Sequence, residues 1–241
     1  MLNSINLKHI LFLDIETVPQ HSSFEDAPDK EKLFWEKKSS FFRSNEQTAE
    51  DVYQRAGIYA EFGKIICISV GVLFSKSDYY GLRLKSFSGK NELDLLTSFV
   101  QLIEKMEKKH PVILCAHNGK EFDYPYISRR LLINGLTLPE SLNNAGKKPW
   151  EVKHLDTLEL WKFGDYKHYT SLDLLTHVFH IPSPKEEIDG SMVAEVFYQQ
   201  NDLNKIVAYC ENDVEAVAQL FMRYMNKSLI KPEMIERTIF N

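Results

Sequence analysis

Asp14 and Glu16 stand two residues apart at the end of a short apolar run, Ile10 to Leu13. In an extended strand, side chains at i and i+2 point to the same side, so these two carboxylates share one face. Like charges that close repel. They protonate, face water, or share a cation, and a hard divalent ion is the cation that suits oxygen ligands. Taken in isolation, an Asp-x-Glu reads first as a solvated strand end.

Asp123 ends the segment His117-Asn118-Gly119-Lys120-Glu121-Phe122-Asp123, ahead of Pro125. Taken alone, an Asp before a helix with Pro in its first turn reads as a cap. Asp213 carries more information. Leu203, Ile206, Val207, Cys210, Val214, Val217, Leu220 and Phe221 form an apolar helical stripe. At about 100° per residue, Asp213 falls inside the edge of that stripe, whereas Glu211 and Glu215 point away. A carboxylate on a core-facing side requires a partner, and no Lys or Arg at i±3 or i±4 supplies one. Another segment or a metal must do so. Tyr209, one turn earlier, lies on the same side, as a ligand to the same site or as an amphipathic residue at the core boundary.

The elements that must position these residues can be read from periodicity. His9 to Asp14 is a strand buried on both faces. Lys64 to Phe74 and Tyr79 to Phe87 form a hairpin about Ser75 to Asp78. Asn91 to Lys108 is a helix, Val112 to Ala116 a buried strand, and Tyr124 to Ile133 a helix closed by Asn134 and Gly135. A fifth strand lies near Val152 to Asp156, followed by helices over Ser171 to Phe179, Val193 to Tyr198 and Leu203 to Met225. A hairpin followed by alternating strands and helices predicts an α/β sandwich with a mixed five-stranded sheet flanked by helices. The sequence is read as one domain, 1–241, with an insertion at 20–63 that holds Phe34, Trp35, Phe41 and Phe42. A strand end, a strand-to-helix junction and the buried side of a late helix can converge at one sheet edge. An acidic cluster formed there would be held by two divalent ions, one activating water and both stabilising a pentavalent phosphate and its leaving oxygen.

Composition narrows the function class. The 241 residues are 44% hydrophobic and 26% charged, an ordinary globular balance. The first apolar run stops at Asp14, too soon for a signal peptide or a membrane span, so the expected compartment is the cytoplasm and no membrane partner is expected. Net charge is −5, which argues against coating nucleic acid electrostatically but leaves room for gripping one strand end. Cys67, Cys115 and Cys210 lack the spacing of a zinc or redox motif. His177 and His180 are three apart on a helix, with no third ligand in pattern. Asp156, ending the fifth strand, is read as a structural hydrogen-bonding group. There is no phosphate-binding Gly-x-x-x-x-Gly-Lys loop and no Gly-x-Ser-x-Gly elbow.

Three segments together resemble a known family. Phe12-Leu13-Asp14-Ile15-Glu16-Thr17 resembles the first motif of the DEDD exonucleases, Asn118 to Asp123 the Asn-x-x-x-Phe-Asp second motif of family B polymerase proofreading domains, and Tyr209 to Asp213 the Tyr-x-x-x-Asp third motif. Ala208 stands where the sister group has a histidine, so the tyrosine (DEDDy) variant is indicated. Ser171 to Leu175, Ile181 to Lys185 and Ile188 to Ser191 resemble a stand-alone bacterial group of predicted exonucleases related to those domains.

The resemblance implies an RNase H-like fold and a metal-dependent 3′–5′ exonuclease. It would release nucleoside 5′-monophosphates from a nucleic acid with a free 3′ end, single-stranded DNA by preference, using two Mg2+ or Mn2+ ions. Asp14 would bridge both metals, Glu16 and Asp213 would hold the one that binds the attacking water, Asp123 would support the second, and Tyr209 would orient the water. Thr17, Asn118 and Phe122 would touch the terminal nucleotides, Phe122 being equally readable as simple core, with Lys120 and Lys185 on phosphates. Few residues follow the third motif, so a polymerase in the same chain is not expected and any proofreading or repair partner would act in trans. RNA trimming, or a non-catalytic nucleic-acid-binding domain of the same fold, are the alternatives.

Overall fold

The computed structural model describes residues 5–76, 79–165, 169–182 and 188–238. The elements run β1 (Ile10–Pro19), α1 (Asp29–Ser39), β2 (Gly63–Lys76), β3 (Tyr79–Ser88), α2 (Glu92–Glu107), β4 (Ile113–Ala116), α3 (Asp123–Ile133), β5 (Leu155–Asp156), α4 (Thr157–Lys162), α5 (Leu172–Val178), α6 (Val193–Glu195), α7 (Leu203–Tyr224) and β6 (Ile235–Thr238). They build one mixed sheet in the order β5-β4-β1-β2-β3-β6. The β1–β2 and β2–β3 pairs are antiparallel, and β1–β4, β4–β5 and β3–β6 are parallel. The mixed sheet with flanking helices is as expected, but among the described residues it has six strands, not five. β6 escapes sequence reading because Ile-Glu-Arg-Thr is short, polar and mostly exposed, with no apolar alternation to mark it.

β1 sets the geometry of everything else. Its alternate residues Leu11, Leu13 and Ile15 join the core beneath α2 and α3, beside Phe99, Ile103, Ile127 and Leu131. Ile10 and Phe12 face the other way, into the core that α7 closes with Val214, Val217 and Phe221. Period-two alternation therefore puts Asp14 and Glu16 on the α7 side. The β1–β2 register shifts between Glu16 and Thr17, and such a bulge re-aims the side chains beside it.

α7 starts at Asp202, whose carboxylate accepts from the Lys205 amide. Its stripe lies so close on β2 that a Cβ at Gly71 would sit 3.0 Å from Val214 Cγ1. One expectation fails on this helix: Glu211 is buried, not turned away, and accepts a 2.6 Å bond from Ser86 Oγ while Arg237 lies 3.3 Å from it. The reason is width. α7 packs across β1, β2 and β3, so its flank meets β3 where a single-stripe projection expects solvent.

α2 and α3 are tied by a buried ion pair. Glu92 accepts from Arg130 Nε at 2.9 Å and from the Ile65 amide at 2.7 Å, and Arg130 Nη1 donates to Ala60 O at 2.8 Å. The 20–63 segment holds α1 and folds around its own small core. Trp35 is surrounded by Phe42, Tyr53, Tyr59 and Phe62, and its indole N–H donates to Ala49 O at 2.8 Å. Trp35 and Phe42 are thus core residues of the insertion, while Phe34 and Phe41 stay exposed. Among the described residues, no helix is long and apolar enough to cross a membrane.

Candidate active site

The sequence-predicted carboxylates converge. Asp14 and Glu16 come from β1, Asp123 is the first residue of α3, and Tyr209 and Asp213 lie one turn apart on the β1-facing side of α7. Asp14, Tyr209 and Asp213 line a 270 Å³ pocket together with His117, Tyr169 and Asp173. Asp14 keeps an edge open to this pocket, yet protein surrounds it closely enough that burial pushes its carboxyl well above the usual range, and Asp213, Glu16 and Asp123, in that order, push it further. All three other carboxylates therefore act on Asp14 at once.

Asp123 is buried and held up to about 8, first by desolvation; Asp156 and Asp213 raise it further, while backbone amides, its own and that of Ile15, partly offset them. Its Oδ1 is buried with no hydrogen-bond partner. Asp123 is not the N-cap it reads as in isolation: Phe122 holds that position and no side chain caps the helix, so capping does not account for this residue. Cys210, one residue beyond Tyr209, brings its thiol to 3.4 Å from Asp14 Oδ2, and ligand atoms of Asp14, Glu16 and Cys210 lie within 4.8 Å of one another. A crowd of carboxylates with one bare buried oxygen is what a hard divalent cation would neutralise, so these residues fit the metal that the acidic pattern implies.

The other expected site residues have separate surroundings. Thr17 lies just past the bulge, beside Tyr126. Asn118 adopts a left-handed φ of 62° and gives its amide to Asp156 Oδ1 at 2.9 Å. It faces the groove beyond the carboxylates, whereas its neighbour His117 faces them. Phe122 packs on the Tyr126 ring at 5.3 Å at the edge of the core. Lys120 Nζ is paired with Glu159 at 2.5 Å. Lys185 lies outside the described residues. Asp156 is the structural group it was read as, accepting from the amides of Asn118, Lys120, Leu158 and Glu159.

Sequence reasoning did not single out His117, Tyr169 or Cys210. His117 bonds Thr157 Oγ1 and the Thr170 carbonyl oxygen, both at 2.9 Å, and burial lowers its pKa. The neutral ring therefore bridges three segments at the pocket wall. Its position heading the Asn118–Asp123 segment was the only available signal, and Tyr169 had none.

Residues 58–237 match the model of a family described as a predicted 3′–5′ exonuclease related to the exonuclease domain of PolB. The chain belongs to this family. The match takes in Asn118, Asp123, Tyr209 and Asp213 and begins after Asp14 and Glu16, so the placement of the first pair beside the others rests on the fold. Over 143 residues the chain is 25% identical to the catalytic subunit of DNA polymerase epsilon from Candida glabrata, covering 56% of this chain and 6% of that one. Over 143 residues it is 21% identical to a DNA polymerase of Pyrococcus glycovorans, covering 54% of this chain and 18% of the relative. The chain thus spans under a fifth of either curated relative. The family B DNA polymerase structure from Pyrobaculum calidifontis aligns over 90% of this chain and 24% of that one, with a TM-score of 0.52 and 16% identity. That likeness concerns the fold, a mixed sheet with helices of the RNase H-like kind found in family B exonuclease domains.

Proposed function

We propose that this member of the exonuclease family hydrolyses the last phosphodiester at the 3′ end of a single strand, DNA in preference to RNA, and releases nucleoside 5′-monophosphates. The observation that carries the reading is the convergence of Asp213, Glu16 and Asp123 on Asp14, with Asp14 and Asp213 lining one small pocket. Four carboxylates held so close disfavour their own ionisation unless cations join them. Asp14, Glu16, Asp123 and Asp213 would hold two divalent ions, Mg2+ or Mn2+, and bound there the ions would supply charge to the phosphate and its leaving oxygen.

The chain's own residues do the positioning. The Tyr209 hydroxyl, one helical turn from Asp213, orients the attacking water. Water oxygen bonds to phosphorus, the bond from phosphorus to the 3′-oxygen of the penultimate sugar breaks, and that oxygen leaves protonated. The pocket wall of Tyr169 and neutral His117 confines the terminal unit, and a volume of 270 Å³ sits just below the roughly 300 Å³ lower end of small-molecule pockets. Such a site suits a strand end better than a strand interior.

Product analysis tests this. A strand carrying label in its last nucleotide, incubated with Mg2+ or Mn2+, should yield that label as a nucleoside 5′-monophosphate, and none in chelator. Label recovered as a 3′-monophosphate, or in internal fragments, would rule the reading out.

A further inference from the structure

A 790 Å³ groove begins where the carboxylate pocket stops. The two are adjoining: His117 lines the pocket and the next residue, Asn118, lines the groove, as does Asp156, whose charge acts on Asp123. The groove follows one face of α3, from Tyr124 to Leu132, a rise of about 12 Å at 1.5 Å per residue. Its far end shares Asn144, Ala145 and Lys147 with a second hollow of 880 Å³ lined by Lys108, Lys109 and Lys153. Groove and hollow thus form one track, which starts at the residue next to the pocket's His117.

The chemistry of the track is apolar floor and cationic rim. Trp150 stands in the groove wall 77% exposed, an unusual exposure for so large an apolar ring. The Pro149–Glu151 turn carrying it is held by two bonds: the Lys148 amide donates to Glu151 Oε2 at 2.7 Å and the Glu151 amide to Lys148 O at 2.9 Å. The acidic residues lining the track are largely occupied by protein donors. Asp156 takes backbone amides, Glu159 takes Lys120, and Glu107 takes the amides of Glu140 and Ser141. Arg129, Lys108, Lys109 and Lys153 are exposed and in no ion pair among the described residues. In a chain of net charge −5, that run of free cations is local and directional.

We propose that the track holds the single strand upstream of the 3′ end, with bases stacked in the groove against Trp150 and phosphates passing Arg129 to reach Lys108, Lys109 and Lys153. This inference rests on the nuclease reading of the adjoining pocket. A rigid aromatic face binds any base, and cations set along a groove follow a backbone without reading sequence. About 12 Å accommodates roughly three stacked bases at about 3.4 Å each, so contact with the lysine hollow begins several nucleotides from the end.

The test measures binding, not hydrolysis, so it can fail separately from the nuclease reading. Fluorescently labelled oligonucleotides of two, four, eight and twelve residues are titrated onto the full chain in chelator, at several salt concentrations, by anisotropy. The wild type should gain affinity between two and eight residues and then level off. Trp150→Ala should cut that gain at least tenfold. Lys108→Gln with Lys109→Gln should lower the slope of log affinity against log salt by about 1.4 for two lost phosphate contacts, at about 0.7 per phosphate on a single strand. All three positions are exposed, and unchanged melting temperatures establish that the variants fold. An affinity independent of length, or a length dependence and salt slope that survive both variants, overturns the proposal. So does a groove variant that alters self-association in sedimentation while leaving oligonucleotide binding intact, because the groove is then a protein-docking surface.

Discussion

Asp123 is the residue whose state most depends on what binds beside it. Its carboxyl is held up to about 8 mainly by burial, against about 3.9 in an unfolded chain. The sign follows. The folded form keeps its proton where the unfolded form has lost it, so the ionisation penalty is absent below about pH 4, grows as pH rises, and is complete above about pH 8. In chelator, Asp123→Asn should therefore melt higher than wild type at pH 8.5, by roughly 4–8 °C for a 2 kcal/mol gain, and the difference should vanish at pH 4. A melting temperature below wild type at pH 8.5 would show that Asp123 is simply a well-satisfied polar group. Residue types and spacing made Asp14, Glu16 and Asp213 legible from sequence, because strand and helix periodicities fix which side each takes. Asp123 read as a cap when taken alone, since its bare Oδ1 is a tertiary fact. Cys210 was visible as part of the apolar stripe of α7 and is buried there, but its approach to Asp14 depends on how α7 crosses β1.

At the scale of elements, the site depends on α3 and α7 being fixed against β1. α3 is anchored through Arg130, whose pair with Glu92 is buried and reaches Ala60 as well. Removing one partner of such a pair strands the other charge and costs about 3–5 kcal/mol. Arg130→Met should lower the melting temperature by roughly 6–20 °C at about 2–4 °C per kcal/mol; a fall under 2 °C would mean the pair is not holding the helix. The long amphipathic elements were readable: α2, α3 and α7 lie where their apolar spacing put them, and the β2–β3 hairpin pairs as expected. What sequence did not mark was short or polar. β6 is recruited by β3 through backbone pairing alone, α4 is a six-residue helix initiated by Asp156, and β5 shrinks to two residues because the segment before it turns aside as the Pro149–Glu151 turn. The insertion's aromatic residues were visible, but not that Trp35 would be spent on a core of its own. Trp35→Ala should cost about 3–5 kcal/mol, read as lost stability or as early protease cleavage within residues 20–63. A variant with unchanged stability and cleavage would show that this small core does not hold the insertion together.

For the molecule as a whole, the acidic cluster stores unfavourable energy that a bound divalent ion relieves, so stability and metal binding are linked. Mg2+ or Mn2+ at one hundred times its dissociation constant should add about 2.7 kcal/mol, a rise of roughly 5–10 °C, and Asp14→Asn with Asp213→Asn should remove the response; equal rises in both proteins would place the ion elsewhere. The family match places the chain among predicted 3′–5′ exonucleases related to the exonuclease domain of PolB, and the proposed reaction rests on the four carboxylates. The most direct measurement follows 5′-labelled single-stranded DNA and RNA over time in Mg2+ or Mn2+, comparing the wild type with the Asp14→Ala, Asp213→Ala double variant. The account predicts a ladder shortening one nucleotide at a time from the 3′ end, faster on DNA, present only with wild type and metal. No ladder on either strand, or an equal ladder from the double variant, would contradict it.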